Sequence, residues 1–263
     1  MTPRGVSEKT LRRRFHKFLD NSPKPQKLKS KSKVILKIDG TYFGRWGCSL
    51  AYKAGKRIIF WDFVLRENYS SYFLNLHQII RLGYVIKGVT SDRHPGLVSA
   101  LKAILSDSIP HQHCLVHLQR VCQAFLTRNP KTTAGIQLLE LVLFLNKIKN
   151  HRNQNVWLKW FERLEKRHAN LIKERTYFKN KEGKITWWYT HQKLRRSFRT
   201  IRNSIDNLFL YLDFPKLPKD TNGLEGEFSH LKTKLSIHRG LKRERKANFT
   251  KWYFYFKSIK KID

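Results

Sequence analysis

V-I-L-K-I-D-G, residues 34–40, decides how this chain is read. Val34–Asp39 is a short apolar strand with alternating side chains, and Gly40 follows it as a turn, which leaves an acid at a strand end. Working outward, Trp46–Lys53 and Arg57–Val64 are β-like runs separated by the turn signal A-G-K, so three antiparallel strands are expected. Ser70–Leu82 has apolar residues at Tyr72, Phe73, Leu76, Ile79 and Ile80, a helical spacing. Tyr84–Thr90 reads as a strand and Pro95–Leu105 as a helix with Pro in its first turn. Ile109–Leu115 reads as a short strand and Val116–Leu126 as a helix. The rhythm is that of an α/β domain that opens with strands.

From about 127 to 215 the pattern becomes one of long helices. Trp157–Phe161–Leu164 and Leu194–Phe198–Ile201–Ile205–Leu208 step by three or four, W-W-Y-T-H-Q-K at 187–193 begins the last helical segment, and Pro215 and Pro218 end it. Leu224–Ser236 is a further helix, and an aromatic run, W-Y-F-Y-F, occupies 252–256. Residues 1–20 resemble the end of a helix-turn-helix, with Ser7 as N-cap and the Arg12–Arg14 run on the helix that follows; a basic helix lying on the surface is the alternative. Residues 21–33 form a Pro/Ser/Lys linker. The expected organisation is a helix-turn-helix remnant at 1–20, the linker at 21–33, a core in two pieces at 34–126 and 216–263, and a helical insertion at 127–215.

Lys and Arg number 54 against 19 Asp and Glu, a formal net charge of +35. Charge of that size, spread along the chain, suits a face that meets a polyanion, nucleic acid before others. A ribosomal or other RNA-bound protein satisfies the charge equally well. With 40% hydrophobic residues the composition is not that of a disordered chain. Three cysteines with no framework spacing point to a reducing compartment, and the N-terminus has no apolar signal-peptide region. The most apolar run, Ile136–Ile148, is too short to span a membrane and carries Glu140. A soluble, intracellular protein with no membrane partner is expected.

Against this background three acids stand out: Asp39, Asp92 in V-T-S-D-R-H-P-G, and Glu225 in T-N-G-L-E-G-E-F. Each has an ordinary explanation. D-G is a turn signal, Asp before a helix is an N-cap, and Glu three residues after Asn222 fits a capping box. Together they say more, because functional groups in an open α/β sheet gather where strands end and helices begin. Three carboxylates there could hold two Mg²⁺ ions about 3.5–4 Å apart, the arrangement that supports in-line phosphoryl displacement.

The set K-I-D-G-T-Y, V-T-S-D-R-H-P-G-L, C-L-V-H-L-Q-R-V and T-N-G-L-E-G-E-F-S-H-L-K-T-K-L-S-I-H-R-G-L resembles the DDE transposases of bacterial insertion sequences in the Mutator-like group. The spacing agrees: 53 residues from Asp39 to Asp92 and 133 more to Glu225, over a resemblance spanning roughly 34–245. W-W-Y-T-H-Q-K-L-R-R-S-F-R resembles the insertion region of bacterial members. The resemblance implies an RNase H-like catalytic domain, a mixed sheet flanked by helices, with an all-α insertion before the last catalytic helix. It implies Asp39, Asp92 and Glu225 as catalytic and metal-binding residues, holding two Mg²⁺ or Mn²⁺ ions. Glu227 is a rival third acid. Two residues further along a helix it points to nearly the opposite side, and Glu225 completes N-x-x-E.

Cys114 and His117 match a C-x-x-H motif of the same group. The pair is at most half a zinc site; zinc is not expected, and a role in supporting the site or touching DNA is. Lys232, Lys234, His238, Arg239 and Lys242 follow Glu225 and would place positive charge beside the acids, or form a solvated helix face. Trp187 and Trp188 could stack on bases at an element end or belong to an insertion core. The implied activity is metal-dependent cleavage at transposon ends and strand transfer into target DNA, on double-stranded DNA, by a homodimer or higher oligomer. Related transposases begin with a zinc-binding segment and a complete helix-turn-helix, so this chain is read as short at its N-terminus. Two other readings stay open: an RNase H-like nuclease or resolvase without strand transfer, and an inactive transposase-derived DNA-binding protein.

Overall fold

The structure, a computed structural model, describes residues 6–106 and 108–259. The first five residues of the expected helix-turn-helix remnant therefore lie outside the described residues. The chain divides into two compact units, one made of residues up to Pro110 together with those from Thr221 onward, the other of His111–Asp220.

The first unit contains α1 (Glu8–Leu19), β1 (Ser32–Tyr42), β2 (Cys48–Ala54), β3 (Arg57–Val64), α2 (Tyr69–Arg81), β4 (Tyr84–Ser91) and α3 (Pro95–Ile104), and after the second unit α10 (Asn222–Ile237) and α11 (Arg243–Ile259). Its strands lie in the order β3-β2-β1-β4. β1 pairs antiparallel with β2 and parallel with β4, so the sheet is mixed. Because successive side chains on a strand point to opposite faces, β1 serves two layers. Leu36 and Ile38, both fully buried, join Leu50, Tyr52, Tyr72, Leu76 and Leu97 in a core beneath α2 and α3. Asp39 falls on the other face with its cross-strand partner Ala51, where Ala51, Ile58 and Trp61 pack against Leu224, Phe228 and Leu231 of α10 and Phe254 of α11.

The local chemistry accounts for the elements. Asn68 caps α2 by accepting from the Ser71 N–H at 2.8 Å. Ser7 caps α1, as the sequence predicts, by accepting from the Thr10 N–H at 3.3 Å. α1 is docked on α11: Phe18 lies over Trp252 with ring centroids 4.0 Å apart, the Trp252 indole donates to the Asn21 carbonyl at 2.8 Å, and Arg245 pairs with Asp20 at 2.7 Å.

One expectation changes here. Gly40 is not a turn: β1 runs through it to Tyr42, with Gly40 opposite Leu50. The turn comes later, where the Phe43 N–H donates to the Gly47 carbonyl at 2.9 Å and Gly44 adopts φ 62°. Glycine is needed at 40 for space, since a Cβ there would meet Glu67 Oε1 at 2.4 Å and Leu50 Cδ2 at 3.0 Å. Asp39 therefore sits inside a strand, not at its end.

The second unit contains β5 (His111–His113), α4 (Leu115–Leu126), α5 (Thr133–Phe144), α6 (His151–Arg167), α7 (Ala169–Lys173), β6 (Arg175–Lys179), β7 (Ile185–Tyr189), α8 (Gln192–Arg202) and the single turn α9 (Leu210–Asp213). Leu118 and Cys122 of α4, Leu138 and Val142 of α5, Trp157 and Phe161 of α6, and Phe198 and Ile201 of α8 share one core. Trp157 and Phe161 stack with centroids 5.7 Å apart, and the Trp157 indole donates to the Leu141 carbonyl at 2.8 Å. α4 thus packs with this unit, although the sequence boundary at 127 would separate it.

The expectation of an all-α insertion is corrected by β6 and β7, an antiparallel hairpin. Residues 187–189 are strand, and the helix begins only at Gln192. The turn N-K-E-G explains it. Asn180 Oδ1 accepts from the Glu182 and Lys184 N–H groups at 3.1 and 2.7 Å, and Gly183 takes φ 83°. Among the described residues no helix is long and apolar enough to cross a membrane.

Gly40→Ala should destabilise the protein by about 1–3 kcal/mol through overpacking. Gly40→Ala with Glu67→Ala should recover part of that loss, because the carboxylate is the nearest obstacle. Urea denaturation of the single and double variants checks both.

Candidate active site

Asp39 and Glu225 are 186 residues apart in sequence and adjacent in the first unit. β1 turns Asp39 toward α10, and the first turn of α10 supplies Glu225. Their carboxylate oxygens lie within 4.8 Å of each other. Asp39 is 7% exposed and Glu225 half-buried. The Gly40 N–H donates to Asp39 Oδ1 at 2.9 Å. Two like charges about 4 Å apart repel by roughly 4 kcal/mol at an effective dielectric of 20, a cost that a divalent cation between them reverses. Two oxygens on one Mg²⁺ lie at most about 4.2 Å apart, since each Mg²⁺–oxygen bond is about 2.0–2.1 Å, so a separation within 4.8 Å is near the span of a single ion.

α10 begins at Asn222 with Thr221 in the cap position, so Asn222 is not the cap that a capping box ending at Glu225 requires. Glu227 has a different occupation. Its Oε2 accepts from the Tyr253 hydroxyl at 3.0 Å and pairs with Lys257 Nζ at 3.0 Å, both on α11. Burial pushes its carboxyl up, but the Lys257 and Tyr253 bonds and the nearby lysine charges outweigh that and hold it below the usual glutamate range. Lys53 Nζ donates to the Gly223 carbonyl at 3.0 Å, tying β2 to the start of α10; burial pushes its ammonium down.

Asp92 comes one residue past β4. The register Ile38↔Ser91 brings it beside Asp39 on neighbouring parallel strands. Its Oδ1 accepts from the His94 N–H at 3.1 Å, across the entry to α3. Among the described residues it does not join Asp39 and Glu225 inside the 4.8 Å grouping. The Asp92 charge reaches the opposite side of the sheet as well. Burial first, then Glu67 and Asp92, push the Tyr72 hydroxyl far up.

Glu67 is the acid that sequence reasoning passed over. The Tyr72 hydroxyl donates to its Oε2 at 2.8 Å and the Cys48 thiol to its Oε1 at 3.1 Å, and the Glu67 backbone N–H donates to the Tyr42 hydroxyl at 3.3 Å. The carboxylate lies directly behind Gly40. Nothing in R-E-N-Y-S marks it; the only signal is the glycine at 40 that makes room for it.

The remaining candidates fall out as follows. Lys232 holds its Nζ 5.9 Å from the Phe43 ring centroid, and Lys234 is exposed. His238 is wedged between Phe15 and Phe249, with centroids at 5.1 and 5.2 Å. Arg239 Nε donates to the Ser236 carbonyl at 3.3 Å. In the second unit Cys114 is buried at the cap position of α4, and His117 is half-buried in that helix's first turn. Trp187 and Trp188 are each 47% exposed, so they are not an insertion core.

A family model matches residues 89–247, more than half of the chain, and the chain belongs to the IS66 transposase family, DDE transposases of insertion sequences. This replaces the Mutator-like group. The motifs that carried that resemblance are four short stretches, whereas the match runs continuously over residues 89–247. It includes Asp92, Cys114, His117 and Glu225 and begins after Asp39. A search of curated proteins found no significant match. Among solved structures, the chain is similar to the Drosophila P element transposase in a strand transfer complex. Identity is 13% and the TM-score 0.40, over 94% of this chain and 85% of that one.

Glu227→Gln should lower stability near neutral pH by about 0.2–1 kcal/mol. A carboxyl held below its ordinary value of 4.5 stabilises the fold above that value and loses the contribution as pH falls through the lower, folded value. The gap between wild type and variant should therefore close on acidification below 4.5, which a series of urea melts at different pH checks.

Proposed function

We propose that this chain is the catalytic core of a DNA transposase that cuts at the ends of its element and joins them to target DNA, on an RNase H-like fold. The observation that carries the reading is the Asp39–Glu225 pair: two carboxylates within 4.8 Å on a buried sheet face of a chain with a formal charge of +35. The strand order β3-β2-β1-β4, with β1 antiparallel to β2 and parallel to β4, supports the fold. Family membership supports the activity.

In this reading Asp39 and Glu225 would hold a divalent cation, and Asp92, beside Asp39 in the register of the neighbouring strand, is the third acid. A bound Mg²⁺ or Mn²⁺ would supply Lewis-acid activation of water or a 3′-hydroxyl and neutralise charge on the scissile phosphate. The protein's own part is to fix the carboxylates. The sheet holds Asp39, and the Lys53–Gly223 bond and the apolar stripe Leu224–Phe228–Leu231 hold α10 and set its rotation. The positive charge of the chain draws in the phosphate backbone. In α1, Arg12 and Arg13 lie with Lys9 and Lys17 around one basic cleft in the first unit, suited to phosphates. DNA is thus the partner, and a dimer or higher oligomer on two element ends is part of the same proposal.

Asp39→Asn, Asp92→Asn and Glu225→Gln should each lower Mg²⁺-dependent cleavage of an element end by at least about 10²-fold, with duplex binding and the circular dichroism spectrum unchanged. Wild-type protein given pre-cut ends should join them to a target plasmid. Cleavage without joining would instead mark a nuclease or resolvase. Wild-type cleavage by the three variants would remove the acids from the chemistry.

A further inference from the structure

The β6–β7 hairpin leaves its large apolar side chains outside. Tyr177, Phe178 and Ile185 are 62%, 55% and 64% exposed, and Trp187 and Trp188 47% each. In register, Arg175 faces Tyr189, Tyr177 faces Trp187 and Lys179 faces Ile185, so these six share one face of the ribbon. Phe178 and Trp188 stand on the other. Both faces of the ribbon therefore offer aromatic rings to solvent.

The ribbon is nevertheless well held. A two-stranded hairpin is marginal by itself in water. This one has the Asn180 turn and a Thr176–Thr190 hydroxyl bond of 2.7 Å, and the Thr190 N–H donates to the Glu174 carbonyl at 3.0 Å. Arg175 lies over Trp187 at 4.1 Å, and Arg195 of α8 over Tyr189 at 3.8 Å. Each arginine lies over one side of its ring, and Trp187 and Trp188 stay 47% exposed and Tyr177 62%. Between Lys173 and Arg196 there are eight Lys and Arg against two Glu. That excess favours a polyanion and opposes a second copy of the same hairpin, which would bring the same charge.

We infer that the hairpin binds unpaired DNA bases, stacking them on Trp187, Tyr177 and Trp188 while the neighbouring cations meet the phosphates. Aromatic faces interleaved with cations are what single-strand recognition uses, and stacking tolerates any base. The inference rests on the DNA-transposase reading and specifies which part of the DNA this surface takes: the unpaired tail of an end, not the paired duplex.

The test compares fluorescence anisotropy of two labelled DNAs with the full chain, one a blunt duplex and one the same duplex with a short single-stranded tail. Wild type should bind the tailed DNA more tightly. Trp187→Ala with Tyr177→Ala should weaken tailed binding on the order of 10-fold or more and leave blunt binding unchanged, while Trp187→Phe keeps most of the preference. An unchanged preference in the double variant would overturn the inference. So would sedimentation showing that the variant loses self-association, since the face would then be an interface between copies. Circular dichroism identifies any unfolding of the hairpin variant, in which case Trp188→Ala, on the other face, gives the second reading of the same preference. Cleavage lost in Asp39→Asn is read separately, so failure of the hairpin and failure of the catalytic assignment are distinguishable.

Discussion

β1 answers to two layers at once, and the architecture of the first unit depends on it. Its even-numbered side chains, Leu36 and Ile38, are fully buried under α2 and α3, so its odd-numbered ones must face α10 and α11. A slip of one residue would put Asp39 into the apolar core and Ile38 against α10. Burial of the aliphatic pair, at about 25 cal/mol per Å², therefore also aims the carboxylate. The register that packing enforces is also the one that places Asp39 opposite α10.

The same economy places Glu225. Leu224, Phe228, Leu231 and Leu235 are the buried stripe of α10, and they fix the rotation of the helix on the sheet. Glu227 is then turned toward Tyr253 and Lys257, and Glu225 toward Asp39. On the opposite side of the sheet Glu67, held by Tyr72 and Cys48, occupies the space that Gly40 leaves. Glu67 and Glu227 are thus each held by partners on neighbouring elements, while Asp39 and Glu225 lie within 4.8 Å of each other.

Most of the first unit was legible in the sequence, because its signals are strong and local. Alternation in 34–39, the A-G-K turn and the helical spacing of 70–82 each name an element within a residue or two. What failed was Gly40, where a residue that usually means a turn serves a distant glutamate instead. The hairpin at 175–189 is hidden for a different reason: W-W-Y and the following Q-K-L-R-R-S-F merge into one amphipathic run, which masks the turn N-K-E-G ahead of it. Of the candidate site, the sequence names Asp39, Asp92 and Glu225 through their places in the chain and a resemblance, but the closeness of Asp39 and Glu225 and the capture of Glu227 by α11 arise from the rotation of α10. Four short motifs do not fix the family; the match that does runs continuously over residues 89–247.

The account stands or falls on whether Asp39 and Glu225 share a divalent cation. Isothermal titration of Mn²⁺ into the DNA-free protein measures this directly. The account predicts saturable binding that is lost, or weakened about tenfold or more, in both Asp39→Asn and Glu225→Gln, and is unaffected by Glu227→Gln, since each lost ligand removes on the order of 1.4 kcal/mol or more. Binding equally strong in wild type and both site variants, or abolished only by Glu227→Gln, would contradict it.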